Sequence, residues 1–117
     1  MITCIAIDDD PLFLQLIQSY LDQESEIELI GTFNNPVSGI VQVVKKKPDV
    51  LLIDLDMPYL DGFESLDTLD IKPKIIMISA HVDQPVKKLQ LKINKYLRKV
   101  AFNKDLLVKS IHSVLND

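Results

Sequence analysis

The sequence predicts an α/β fold of the doubly wound kind, with a five-stranded parallel sheet covered by helices on both faces. Five short apolar runs indicate the strands, at residues 2–7, 27–30, 50–53, 75–78 and 93–97. Because these runs are continuous and do not alternate with polar residues, they are typical of strands buried on both faces. Segments with a helical apolar period lie between them, which gives the chain a (βα)5 order.

The first two helices begin with the same signal, a capping side chain followed by proline. Asp10-Pro11 and Asn35-Pro36 both place a good N-cap before a residue that suits the first helical turn. The predicted core-facing residues are Phe13, Leu14, Ile17, Tyr20 and Leu21 in the first helix and Val37, Ile40, Val41 and Val44 in the second. Three lysines at 45–47 and then Pro48 are predicted to end the second helix, since cations suit its carbonyl end.

The second half of the chain predicts shorter helices at residues 63–69 and 85–91 and a longer one at the C-terminal end. Asn103 is the predicted N-cap of this last helix. Its predicted inward-facing residues are Leu107, Ile111, Val114 and Leu115.

Length and composition indicate one globular domain that spans residues 1–117. No apolar stretch approaches the roughly eighteen residues of a membrane span, so we expect no membrane insertion. The net charge of −4 predicts that this chain does not bind nucleic acid directly. The single cysteine, Cys4, lies in the first apolar run, where we expect it to be buried and unreactive. A chain that cannot form an internal disulfide fits the cytoplasm.

Polar side chains follow four of the predicted strands. Asp8 and Asp9 follow the first, Asp54 the third, Ser79 the fourth and Lys99 the fifth. Because parallel strands end at one edge of their sheet, these side chains are predicted to share one crevice, where α/β proteins bind ligands. Carboxylates that converge repel one another, and a divalent cation offsets the repulsion. The sequence therefore predicts a Mg²⁺ site.

Four segments carry a family resemblance. They are Asp8-Asp9-Asp10-Pro11, then Leu52-Ile53-Asp54-Leu55-Asp56-Met57-Pro58 with Asp61-Gly62, then Ile78-Ser79-Ala80, and finally Tyr96-Leu97-Arg98-Lys99. In this order and spacing the chain resembles a bacterial two-component response-regulator receiver domain over essentially its whole length. The resemblance implies a flavodoxin-like sheet with strand order 2-1-3-4-5.

The resemblance also implies a signalling role rather than that of a conventional enzyme. Asp54 would accept a phosphoryl group from the phosphohistidine of a sensor histidine kinase or a histidine phosphotransfer protein. Asp9, Asp54 and the main-chain carbonyl of Asp56 would bind Mg²⁺ directly, and Asp8 would act mainly through a bound water.

Three further residues would respond to the phosphoryl group. Lys99 would contact one of its oxygens, and Ser79 would donate its hydroxyl and draw the following loop inward. Tyr96 is implied as an aromatic switch, on the side of the fifth strand that faces away from the core. The output surface would comprise the fourth helix, fifth strand and fifth helix, and would contact an output domain or a second copy in a homodimer.

The chain departs from the family pattern after Lys99, where receivers usually have a proline preceded by a cis peptide. Here Val100 follows. A cis bond before a non-proline residue costs about 2.5–4 kcal/mol, against about 0.5–1 kcal/mol before proline. We therefore expect a trans Lys99–Val100 bond.

Two other functions stay open on the sequence alone. The first is a receiver-like interaction module that is never phosphorylated, which the missing proline leaves possible. The second is a haloacid-dehalogenase-like phosphatase, because Asp54-Leu55-Asp56 matches its Asp-x-Asp core. The phosphatase is disfavoured because Pro58 replaces its usual Thr or Val, and because its motif follows the first strand of a longer chain.

Overall fold

The computed structural model describes residues 1–57, 66, 69–70, 72–80 and 92–117. The strands are β1 (Ile2–Ile7), β2 (Ile27–Phe33), β3 (Val50–Asp54), β4 (Lys74–Ser79) and β5 (Lys95–Arg98). The helices are α1 (Pro11–Leu21), α2 (Pro36–Lys46) and α3 (Lys104–Val114), and a 3₁₀ turn (Lys99–Ala101) follows β5. The predicted helices at 63–69 and 85–91 lie outside the described residues, apart from Leu66 and Leu69. Within the described ranges, no helix has the length and apolar character of a membrane span.

The strands form one sheet in the order β2-β1-β3-β4-β5, and every pairing is parallel. This confirms the predicted fold class and strand order. Alternate residues of β1, β3 and β4 face two separate cores. Cys4, Leu52 and Ile76 lie in the core under α1 and α3, whereas Ile5 and Leu51 lie in the core under α2. Helices on both faces explain why the inner strands β1, β3 and β4 are mostly apolar along their length.

Cys4 is fully buried, as predicted. Burial, with a contribution from the negative charge of Asp49, raises the pKa of its thiol to about 12. The thiol therefore stays protonated and unreactive at neutral pH.

All three predicted N-caps are confirmed by their hydrogen bonds. Asp10 Oδ1 accepts from the Leu12 amide at 3.0 Å, and Asn35 Oδ1 accepts from the Val37 amide at 2.8 Å. Asn103 Oδ1 accepts from the Leu106 amide at 2.8 Å. These caps fix where the chain turns from each loop into its helix.

The predicted inner face of α2 is wrong for three of its four residues. Its buried residues are Gly39 and Val43, with Ile40 partly buried, whereas the predicted Val37, Val41 and Val44 are exposed. The reason is close packing: the helix approaches β1 at Gly39, whose missing side chain leaves room for Ile7. Two strand bounds also differ from the prediction, since β2 extends to Phe33 and β5 begins at Lys95. Two residues predicted to face the core are less buried than expected: Tyr20 is half-buried and Leu115 is exposed.

We expect Gly39→Ala to destabilise the protein by about 1–3 kcal/mol, although alanine normally favours a helix by about 1 kcal/mol over glycine. An added Cβ would overlap Ile7 Cδ1 and lie 2.7 Å from Ile7 Cγ1. Ile7 is buried and has little room to move. Urea unfolding of Gly39→Ala, beside Ser38→Ala on the exposed face of the same helix, measures this effect. A Gly39→Ala variant as stable as the parent would refute the close packing.

Candidate functional site

Two buried aspartates meet at the carboxyl edge of the sheet. Ile7 of β1 pairs with Ile53 of β3, so Asp8 and Asp54, the residues that follow them, lie side by side. Both are 2% exposed, whereas Asp9 is exposed. Carboxylate oxygens of Asp8, Asp9 and Asp54 lie within 4.8 Å of one another, which confirms that the predicted acidic cluster forms.

Each buried carboxylate has one oxygen held by the backbone. The Asp10 amide donates to Asp8 Oδ1 at 2.8 Å, and the Asp56 amide donates to Asp54 Oδ1 at 2.9 Å. The Asp8 amide in turn donates to the Phe33 carbonyl at 3.0 Å. These bonds fix the orientation of the carboxylates and leave both Oδ2 atoms directed at the same cation.

The cation that both Oδ2 atoms face is the Lys99 ammonium. Its Nζ lies 3.0 Å from Asp8 Oδ2 and 3.7 Å from Asp54 Oδ2. The Lys99–Val100 peptide is trans, as the energy argument predicted. Lys99 is the first residue of the 3₁₀ turn at Lys99–Ala101, which follows β5 directly.

Burial dominates the electrostatics of the crevice. Desolvation raises the pKa of Asp54 to about 7, against an ordinary value of 3.8, and the charge of Asp8 adds to the rise. The Asp56 amide and Lys99 oppose it by stabilising the ionised form. For Lys99, burial alone would lower the pKa, but its contacts with Asp8 and Asp54 outweigh burial and raise it.

Ser79 and Asp56 lie on the same edge of the sheet. Ser79 ends β4 and is buried, and β4 pairs with β3 up to the Asp54–Ile78 position. The side chain of Asp56 accepts a hydrogen bond from the Ala80 amide at 3.0 Å, and the Leu55 amide donates to the Ile78 carbonyl at 2.8 Å. The loops that follow β3 and β4 are therefore joined directly beside the acidic cluster.

Tyr96 does not lie in the crevice. It is 54% exposed on β5, on the same face as the exposed Arg98, while Leu97 between them is buried. This confirms the predicted orientation away from the core. Tyr96 pairs with Met77 of β4, two residues before Ser79.

The donor set fits Mg²⁺. The cluster offers hard carboxylate oxygens, and the single charge of Lys99 leaves the three aspartates with excess negative charge when all are ionised. The high pKa of Asp54 reflects this crowding as well as burial, and a divalent cation would relieve it. Oxygen ligands of this kind are those that Mg²⁺ prefers.

The sequence reasoning missed an aromatic contact in the crevice. Phe13 was predicted only as a core residue of α1, but the Nζ of Lys99 lies 4.4 Å from the centroid of its ring. Phe102 packs against Phe13 with ring centroids 4.8 Å apart. The available signal was two aromatic residues, one in the first turn of α1 and one just after Lys99.

Comparison with known proteins gives a consistent result. The family model described as "Response regulator receiver domain" matches residues 4–112. The chain is 35% identical over 101 residues to the transcriptional regulatory protein BtsR of Escherichia coli strain K12, covering 85% of this chain and 42% of BtsR. It is 32% identical over 119 residues to an uncharacterized response regulatory protein of Shewanella oneidensis, covering 100% of this chain and 50% of that protein. The chain thus spans about half the length of these relatives.

A solved structure shows the same fold. The isolated REC domain of RcsB from Salmonella enterica serovar Typhimurium, determined in the presence of the phosphomimetic BeF3−, superposes with a TM-score of 0.81. The match covers 98% of this chain and 88% of the RcsB chain, at 22% sequence identity. At that identity the similarity concerns the fold alone.

Proposed function

This chain belongs to the response regulator receiver family, and from that premise we propose that it accepts a phosphoryl group on Asp54 and transmits its phosphorylation state to a partner. The observation that carries the proposal is the position of Asp54, buried between the Asp8 carboxylate and the Lys99 ammonium at the carboxyl edge of the sheet. Members of this family are signalling proteins. The RcsB domain, which has the same fold, was solved in the presence of a phosphomimetic.

Asp54 Oδ2 is the proposed nucleophile, because Oδ1 is engaged by the Asp56 amide. It attacks the phosphorus of a phosphohistidine, so that a phosphorus–oxygen bond forms as the phosphorus–nitrogen bond breaks and the histidine ring leaves. Lys99 then binds a phosphoryl oxygen from its position 3.7 Å from Asp54 Oδ2. Mg²⁺ held by Asp9, Asp54 and the Asp56 main-chain carbonyl, with Asp8 acting through water, would neutralise phosphoryl charge.

The proposed response uses Ser79 and Tyr96. The Ser79 hydroxyl donates to the phosphoryl group, and the loop after β4 moves with it. In this proposal the movement breaks the hydrogen bond from the Ala80 amide to the Asp56 carboxylate as the bond from Ser79 to the phosphoryl group forms. Tyr96 then turns inward and changes the surface formed by β5, α3 and the predicted fourth helix.

Residues 1–117 are proposed to act as one receiver domain. The proposed upstream partner is a sensor histidine kinase or a histidine phosphotransfer protein. The proposed downstream partner is an output domain or a second copy of the chain. We propose that nucleic acid, if the pathway reaches it, is bound through that output partner, since the receiver itself carries net negative charge.

Incubation with acetyl phosphate and Mg²⁺, followed by intact-mass measurement, tests the proposed acceptor. We expect one phosphoryl adduct on the parent and on Asp56→Asn, and none on Asp54→Asn. Asp56→Asn is the matched control because it removes a carboxylate two residues from the acceptor. Absence of an adduct on the parent at saturating donor would favour the unphosphorylated interaction module, and turnover of a generic phosphomonoester would favour the phosphatase.

A further inference from the structure

The position of Lys99 needs an explanation that its own backbone does not supply. Without a following proline, the rest of the turn must hold the lysine, yet the Val100 side chain is 78% exposed and contributes little packing. A lysine side chain has four rotatable bonds and loses considerable entropy when its ammonium is fixed in one place. The ion pair with Asp8 holds the ammonium at its tip, and a further contact that holds the turn and the ammonium together would lower this cost.

Aromatic residues of α1 and of the turn after β5 contact both the backbone and the ammonium of Lys99. Phe102 closes the turn, since its amide donates to the Lys99 carbonyl at 3.2 Å. Its ring packs between Phe13, at a centroid distance of 4.8 Å, and Tyr20, at 5.9 Å. The face of Phe13 in turn lies 4.4 Å from the Lys99 ammonium. The backbone and the ammonium of Lys99 are thus held by the same aromatic cluster.

We propose that Phe13 is a positioning residue for Lys99, and that its ring face holds the ammonium over the acidic crevice. The inference rests on the proposed phosphoryl transfer for its functional consequence. Its structural content, an energetic coupling between Phe13 and Lys99, stands independently of that function. The attraction comes from the negative face of the ring and is therefore not reproduced by an aliphatic side chain of similar volume.

Fluorination of the Phe13 ring separates this attraction from simple packing. Fluorine withdraws charge from the ring face and changes the shape of the side chain little. Phenylalanine with one, two or three fluorines, introduced at position 13 alone, is expected to slow adduct formation from acetyl phosphate stepwise. The total fall is expected to be about three- to tenfold, which corresponds to a cation–π contact at a partly buried site. Rates that do not change along the series would overturn the inference.

A double-mutant cycle provides the second measurement. Phe13→Leu is expected to slow the parent by a similar factor but to leave the residual rate of Lys99→Met unchanged, because the partner of the ring is already absent. Equal effects of Phe13→Leu in both backgrounds would show a purely structural role and overturn the proposal.

The same cycle measured by urea unfolding in EDTA does not depend on phosphorylation. Non-additive free energies of unfolding for Phe13→Leu and Lys99→Met are expected, and additive ones would refute the coupling. A parent protein that forms no adduct, yet shows this non-additivity, would refute the proposed function and leave the Phe13–Lys99 coupling standing. The adduct measurement and the unfolding cycle therefore show separately whether the proposed function or the Phe13–Lys99 coupling fails.

Discussion

Asp54→Asn is expected to raise the free energy of unfolding of the metal-free protein by about 2–4 kcal/mol at pH 8. In the folded parent, ionised Asp54 is buried beside Asp8, and this raises its pKa to about 7. Asparagine removes the charge and keeps the oxygen that accepts from the Asp56 amide. Its side-chain amide can also donate to Asp8, and Lys99 keeps its 3.0 Å contact with Asp8.

The size of this effect should depend on pH. Because the pKa of Asp54 is higher in the folded state than its ordinary value of 3.8, the folded protein binds the proton more tightly than the unfolded chain. The parent therefore loses stability as the pH rises from about 4 to about 7, and the loss is complete above that range. The Asp54→Asn variant lacks this dependence, so the two proteins should differ least at about pH 4 and most at pH 8.

Urea unfolding in EDTA at several pH values measures both predictions. Added Mg²⁺ should stabilise the parent more than the variant, because the variant lacks one carboxylate of the cluster. A variant that is less stable than the parent at pH 8, or a difference that does not change with pH, would contradict the crowding of these carboxylates.

Lys99→Met is expected to destabilise the metal-free protein by about 2–4 kcal/mol at pH 8, since it leaves two buried carboxylates without their cation. The Lys99 side chain is 19% exposed and that of its partner Asp8 is 3% exposed, so water compensates poorly for the loss of the ion pair. Methionine keeps most of the packing volume. The loss should shrink as the pH falls and Asp54 becomes protonated.

A second ion pair in the chain provides a matched control. Lys109 lies 3.1 Å from Asp105, almost the same distance as Lys99 from Asp8, but both side chains are 76% exposed. Lys109→Met should therefore change the free energy of unfolding by less than about 0.5 kcal/mol. If the two variants lose equal stability, burial of the crevice is not what makes Lys99 important.

The parts of the fold that depend on local sequence were predictable. The helix starts at Asp10, Asn35 and Asn103 follow from side chains that bond the first turn, and those bonds are present. The gathering of Asp8 and Asp54 follows from the rule that parallel strands end at one edge, and the structure brings both to Lys99. Each prediction needed only short segments and a general property of parallel sheets.

The parts that failed depend on contacts between distant segments. Hydrophobic periodicity ranks valine above glycine, so it placed Val37 and Val41 on the inner face of α2 and missed Gly39. Gly39 lies on that face because only a residue without a side chain can approach Ile7 so closely. For the same reason, the spacing in α1 predicted that Phe13 is buried but not that its ring contacts Lys99. That contact requires the turn after β5 to fold back over the first turn of α1.

The central position of β3 has a consequence for how the molecule fluctuates. Hydrogen bonds to β1 and β4 flank this strand, its residues are buried, and it carries Asp54. Its amide hydrogens should exchange with solvent only when the whole domain opens. Lys99, by contrast, follows β5 at the rim of the sheet, where partial opening needs less energy. The proposed acceptor is thus expected to lie in the slowest-exchanging part of the domain, and the lysine that faces it in a segment that opens at lower cost.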